Sequence, residues 1–176
     1  MKNVYRVVMV ALAAALLLSG CGEKHSGSKG KDKDRTPEVS INYENYTTQA
    51  VDRKLADCIE TWQVAEALGC EETDLEVIVP KDSMVDYFVI EDTENPPENP
   101  VHLQLLMENK TRSEFDAITS DGTMHPQENI GEVAFWSNDW SQLMAYKNGY
   151  AVSVYLSKND TMTMMNVMEM ILDNLP

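Results

Sequence analysis

Asn148-Gly149 stands between two β-prone runs, residues 140–147 and 150–156, and it constrains the fold more than any other stretch of the chain. An Asn-Gly pair supplies the two left-handed residues of a type I′ turn, whose twist matches that of antiparallel strands. Val152, Val154 and Leu156 alternate with smaller or polar neighbours in the second run, the period of a strand buried on one face. Residues 132–137 read as the preceding strand, joined through a tight turn at Asn138-Asp139. Further upstream, residues 75–80, 84–91, 101–107 and 111–118 read as strands. The polar stretches 92–100, with Pro96, Pro97 and Pro100, and 119–129 read as loops.

Helical spacing bounds the strand-rich region at both ends. Val51, Leu55, Cys58, Ile59, Trp62 and Ala65 fall on one face of a helix expected over residues 48–68, with Gly69 as its left-handed stop. At the C-terminus Asp160 or Thr161 caps a helix with Met164, Met165, Met168, Ile171, Leu172 and Leu175 on its apolar face. The order of helix, six or seven mostly antiparallel strands, and helix predicts a single α+β domain. Both helices are expected to pack on one face of a twisted sheet.

The N-terminus is built differently. Lys2 and Arg6 precede an unbroken apolar run of twelve residues, 7–18, which is too short to cross a bilayer core of roughly 30 Å. Small residues follow, in Leu18-Ser19-Gly20-Cys21. This arrangement resembles a bacterial lipoprotein signal peptide with its lipobox. The resemblance implies removal of residues 1–20, lipidation of Cys21 and a mature protein on the extracytoplasmic side of the cell membrane. Residues 21–38 then form a lipid-bearing tether with no large apolar side chain and a basic cluster at Lys29, Lys31, Lys33 and Arg35. The cluster reads as a soluble spacer, with contact to anionic headgroups as the alternative.

Residues 39–176 make one ordinary domain with room for a core. The chain carries −15; losing Lys2 and Arg6 gives −17, and setting aside residues 22–38, net +1, leaves −18 on the domain. That density of scattered acids favours solubility and repels nucleic acid and anionic membrane. Cys58 and Cys70 would lie about 18 Å apart on a common helix, so thiols are expected in preference to a disulfide.

Three segments carry a wider resemblance: Trp62 to Cys70 ahead of Val79-Pro80, the strand Glu132-Val133-Ala134-Phe135-Trp136, and Asn148-Gly149-Tyr150-Ala151-Val152 before the last helix. Together they resemble clostridial extracytoplasmic lipoproteins bearing the domain of unknown function 4367 and its neighbours. The resemblance covers roughly residues 60–175, with Cys70 where an aromatic is usual and no counterpart for residues 92–130. It implies location and fold, and no activity.

Candidate chemistry is sparse. The domain has two histidines, His102 and His125, and no nucleophile elbow or zinc spacing. Glu91, Asp92, Glu94 and Glu98 lack the spacing of a calcium loop and read as a solvated acidic turn. The methionines of the last helix read as core, with a partner groove or copper(I) site as alternatives. Trp136, Trp140, Tyr146 and Tyr150 are the candidate ligand- or partner-binding residues, set against ordinary cross-strand packing. The sequence thus predicts a non-enzymatic binding module at the cell envelope, held to the membrane through Cys21 and engaging an envelope protein. No cofactor, metal or nucleic acid is expected. A carrier of a small hydrophobic or lipid ligand is the alternative, and an enzyme with an unfamiliar site the next.

Overall fold

The computed structural model describes residues 51–90, 97, 99–120, 122–137 and 139–176. Cys21, the leader, the tether, residues 39–50, most of the 92–100 loop and Asn138 lie outside the described residues. Seven antiparallel strands form one sheet: β1 (Leu75–Lys81), β2 (Met84–Val89), β3 (Val101–Asn109), β4 (His125–Gln127), β5 (Val133–Ser137), β6 (Gln142–Lys147) and β7 (Tyr150–Leu156). The spatial order is β1-β2-β3-β7-β6-β5-β4. Two meanders therefore meet where β3 pairs with β7, and the chain crosses to the far edge between β3 and β4. The β6–β7 hairpin closes with Lys147 opposite Tyr150. Asn148 and Gly149 take φ of 49° and 88°, as a type I′ turn requires.

The first face of the sheet carries the main core. Val85, Tyr87, Leu103, Leu105, Leu143, Val152 and Val154 are buried there. They pack with helices α1 (Thr61–Leu68) and α3 (Thr161–Asp173), which present Val64, Met164, Val167, Met168 and Ile171. The two helices are tied where the Thr163 hydroxyl donates to the Ala67 carbonyl at 3.2 Å. The α+β class and the terminal helices agree with the sequence reading.

Three element assignments are corrected. The helix expected over residues 48–68 is α1 alone, preceded by a 3-10 turn at Leu55–Asp57. Glu60 is extended, and its N–H donates to the Gln63 side chain at 2.9 Å, which starts the helix afresh. Leu55, Cys58 and Ile59 still reach the core, because the Leu55 N–H is fixed to the Asp82 carbonyl. Residues 111–118, expected as a strand, are instead helix α2 (Arg112–Thr119). Thr111 and Glu114 form a reciprocal capping box: Thr111 N–H donates to the Glu114 carboxylate at 2.8 Å, and Glu114 N–H to the Thr111 hydroxyl at 3.3 Å. The Thr-x-x-Glu pattern was the available signal. The expected 119–129 loop contains β4, a three-residue edge strand that tolerates Pro126 because its outer side needs no donor. Cys58 and Cys70 are thiols, not a disulfide.

Asp160 caps α3, accepting from Thr163 N–H at 3.1 Å and from the Thr163 hydroxyl at 2.8 Å. Those bonds, the backbone one foremost, hold its carboxyl below the ordinary carboxylate range. A depressed carboxyl stabilises the fold above its unfolded pKa, and that contribution is lost as pH falls through the folded value. Asp160→Ala is therefore expected to cost about 1 kcal/mol at pH 7. The gap between the two proteins in urea unfolding should close as pH drops below the carboxylate range. A gap that persists at low pH would show that the cap does not depend on charge.

Candidate functional site

Among the described residues the second face of the sheet is covered by a helix only at one end. There Phe115 of α2 packs against Phe135 and Tyr146, with ring centroids 6.2 and 5.5 Å apart. Met124, Met144 and Ala151 complete this smaller cluster. Away from it the face turns polar. Strand register places Asp86 opposite Gln104, Gln104 opposite Tyr155, Tyr155 opposite Gln142, and Gln142 opposite Ser137. One row of hydrogen-bonding side chains thus crosses β2, β3, β7, β6 and β5.

Asp86 is the centre of the row. It is fully buried. Its Oδ1 contacts His102 Nε2 at 2.6 Å and accepts from Gln104 Nε2 at 2.9 Å. His102 stacks on Phe88, with centroids 4.4 Å apart and planes 7° from parallel, and Tyr155 meets it edge-on at 5.8 Å. The His102 backbone is clamped by Ser157, whose hydroxyl accepts from its N–H and whose own N–H donates to its carbonyl. Two positions along, Gln142 donates to the Ser153 hydroxyl at 2.5 Å. Burial pushes the Tyr155 phenol upward, so it stays protonated and able to donate.

Not every oxygen in this region has a donor. Asp86 Oδ2, Ser137 Oγ and Glu76 Oε2 are buried without a hydrogen-bond partner. All three belong to the second face: Glu76 is opposite Phe88, and Phe88 opposite His102. A buried carboxylate oxygen without a donor carries a penalty of about 1–3 kcal/mol or more. Replacing such groups by apolar residues is often neutral or stabilising. The sheet holds a polar row that packing alone does not require.

The four aromatic candidates do not share a surface. Trp136 lies in the first-face core, 5% exposed. Tyr150 lies on the same side, with its hydroxyl donating to Asp52 Oδ1 at 2.8 Å, a bond that fastens residue 52 to the end of the sheet. Tyr146 belongs to the opposite face, under Phe115. Trp140 sits half-buried in the turn before β6. His125 is exposed on the short edge strand β4.

His102 does meet a carboxylate, which is half of an acid–base pair. Yet two hollows among the described residues, about 480 and 460 Å³, are lined by other residues, around Lys147 and Asp173 and around Lys110 and Tyr146. Among the described residues no group of three or more His, Cys, Asp or Glu side chains is placed to hold a metal. Met164 and Met168 are fully buried in the core, so their thioethers face protein.

Sequence reading missed Asp86, which stands inside the apolar run Met84-Val85-Asp86-Tyr87-Phe88. A lone acid in such a run was the signal; its partners became visible only with the register. No family model matches the chain, and neither the curated proteins nor the solved structures give a match.

Proposed function

We propose that this chain is a lipid-anchored extracytoplasmic lipoprotein whose domain is a non-enzymatic binding module at the cell envelope. The observation that carries the binding role is the polar row on the second face, which packing alone does not require and which contains three buried oxygens without donors. The lipobox ending at Cys21 and the tether behind it support the location. Kinship with the clostridial lipoproteins of the domain of unknown function 4367 belongs to the same proposal. The carrier reading fares less well, because the space between sheet and helices is filled by fully buried Leu103, Leu105, Met164, Met168 and Ile171.

The test is photo-cross-linking on intact source cells. A benzophenone amino acid replacing Tyr155 is expected to give one discrete adduct, and the same probe replacing exposed Glu169 on α3 none. No adduct from position 155 under any growth condition, or the same adducts from both positions, would sink the proposal.

A further inference from the structure

The two edges of the sheet are treated differently. β4 is three residues long and carries Pro126, so it offers little to an incoming strand. β1 is seven residues long, and its one proline, Pro80, sits near its end. Among the described residues no strand lies beyond it.

Hydrogen-bond alternation decides which backbone groups of β1 face outward. The Ile90 N–H donates to the Asp74 carbonyl at 2.6 Å, which makes that pair a hydrogen-bonded one. The register then runs Leu75 with Val89, Glu76 with Phe88, Val77 with Tyr87 and Ile78 with Asp86. In an antiparallel ladder bonded and non-bonded pairs alternate. Glu76 and Ile78 therefore bond inward to β2, and Val77 turns its N–H and C=O away from the sheet; Leu75 offers only its C=O there, because its N–H donates to the Glu72 carbonyl. The same strand exposes apolar side chains: Val77, on the side that carries the helices, is 38% exposed, and Val79, at the register shift, 52%. On the other side Glu76 holds the unpartnered Oε2.

We propose that β1 accepts an extended segment of a partner protein as an eighth strand, with apolar and basic residues alternating in that segment. This rests on the binding-module reading and names the partner's chemistry. Main-chain bonds to the Val77 N–H and C=O and to the Leu75 C=O supply the pairing, as in strand addition to an open sheet edge. Apolar side chains of the added strand cover Val77 and Val79. The residues between them fall on the second face beside the half-buried Glu76, whose carboxylate a Lys or Arg would pair with. Charge complementarity selects this occupant: the domain is strongly acidic, and Glu71, Glu72 and Asp74 lead directly into the strand. A second copy of the chain would bring the same acids together, so it is the disfavoured occupant.

The test uses the full chain in detergent and two fluorescent peptides, one alternating valine with lysine and one alternating valine with glutamate. The Val/Lys peptide is expected to bind and to protect the Val77 amide from hydrogen exchange, and the Val/Glu peptide to bind at least about tenfold more weakly. N-methylation along one edge of the Val/Lys peptide is expected to weaken it about tenfold, through lost main-chain bonds. Val77→Lys should block the edge, and Glu76→Gln should weaken binding severalfold while leaving folding intact. Binding that ignores both N-methylation and Val77→Lys would be plain attraction to an acidic surface and would overturn the proposal. No binding of the Val/Lys peptide would overturn it too, as would concentration-dependent dimers that Val77→Lys abolishes. An adduct from position 155 together with an inert β1 would keep the binding module and reject only the strand.

Discussion

Cys21→Ser is expected to take up no fatty acid, whereas the natural chain carries a lipid-sized mass addition on a new N-terminal Cys21. The physical stake is large. One acyl chain binds a membrane only marginally, and stable anchoring needs a second chain or a basic patch. The bacterial lipoprotein modification, as the lipobox resemblance implies, adds two or three chains. Without them little holds the protein. Residues 7–18 span about 18 Å as a helix, well short of the roughly 30 Å of a bilayer core. The acidic domain is repelled by anionic headgroups. Among the described residues no helix is long and apolar enough to cross a membrane. Intact-mass measurement and metabolic fatty-acid labelling of both chains decide the matter. Equal labelling of the two, or an unlabelled natural chain, would remove the anchor from the proposed function.

Met168→Ala is expected to be strongly destabilising. Met168 is fully buried between Met164 and Ile171 against the first face of the sheet. Truncating a buried methionine costs about 2–5 kcal/mol, the lost transfer energy plus a cavity. A domain of this kind has about 5–15 kcal/mol in total. The urea midpoint should therefore fall by about 1–2 M. Met168→Leu keeps the volume and should cost under about 1.5 kcal/mol. Met162→Ala, at a side chain 67% exposed, should stay within about 0.5 kcal/mol. If Met168→Ala left stability unchanged and instead abolished copper(I) binding, the packing account of this helix would be wrong.

Local signals were strong enough to settle some of this protein. The Asn148-Gly149 turn, the Asp160 cap and the Gly69 stop each encode a backbone conformation in one or two residues, so each was legible without neighbours. The alternation in residues 150–156 and the stripe from Met164 to Leu175 marked buried faces, because burial on one side leaves a period in the sequence. Those features determined the α+β class and both bounding helices.

Where two local preferences competed, tertiary structure decided. Thr111 to Ile118 has the apolar content of a strand, but the Thr111–Glu114 box and the Phe115 anchor under the sheet make it a helix. Leu55, Cys58 and Ile59 kept a helical spacing while the backbone left the helix, since core contacts fix side-chain positions and leave the path between them open. The polar row was hidden for a different reason. Asp86, His102, Gln104, Tyr155 and Gln142 are scattered over residues 86–155 and become one row only through strand order and register. No single segment encodes which strands are neighbours, and a slip of one residue would send the whole set to the other face. The sequence by itself determined the α+β class, the β6–β7 turn and the cap of the last helix. The sheet order decided what its second face presents, and which edge stays open.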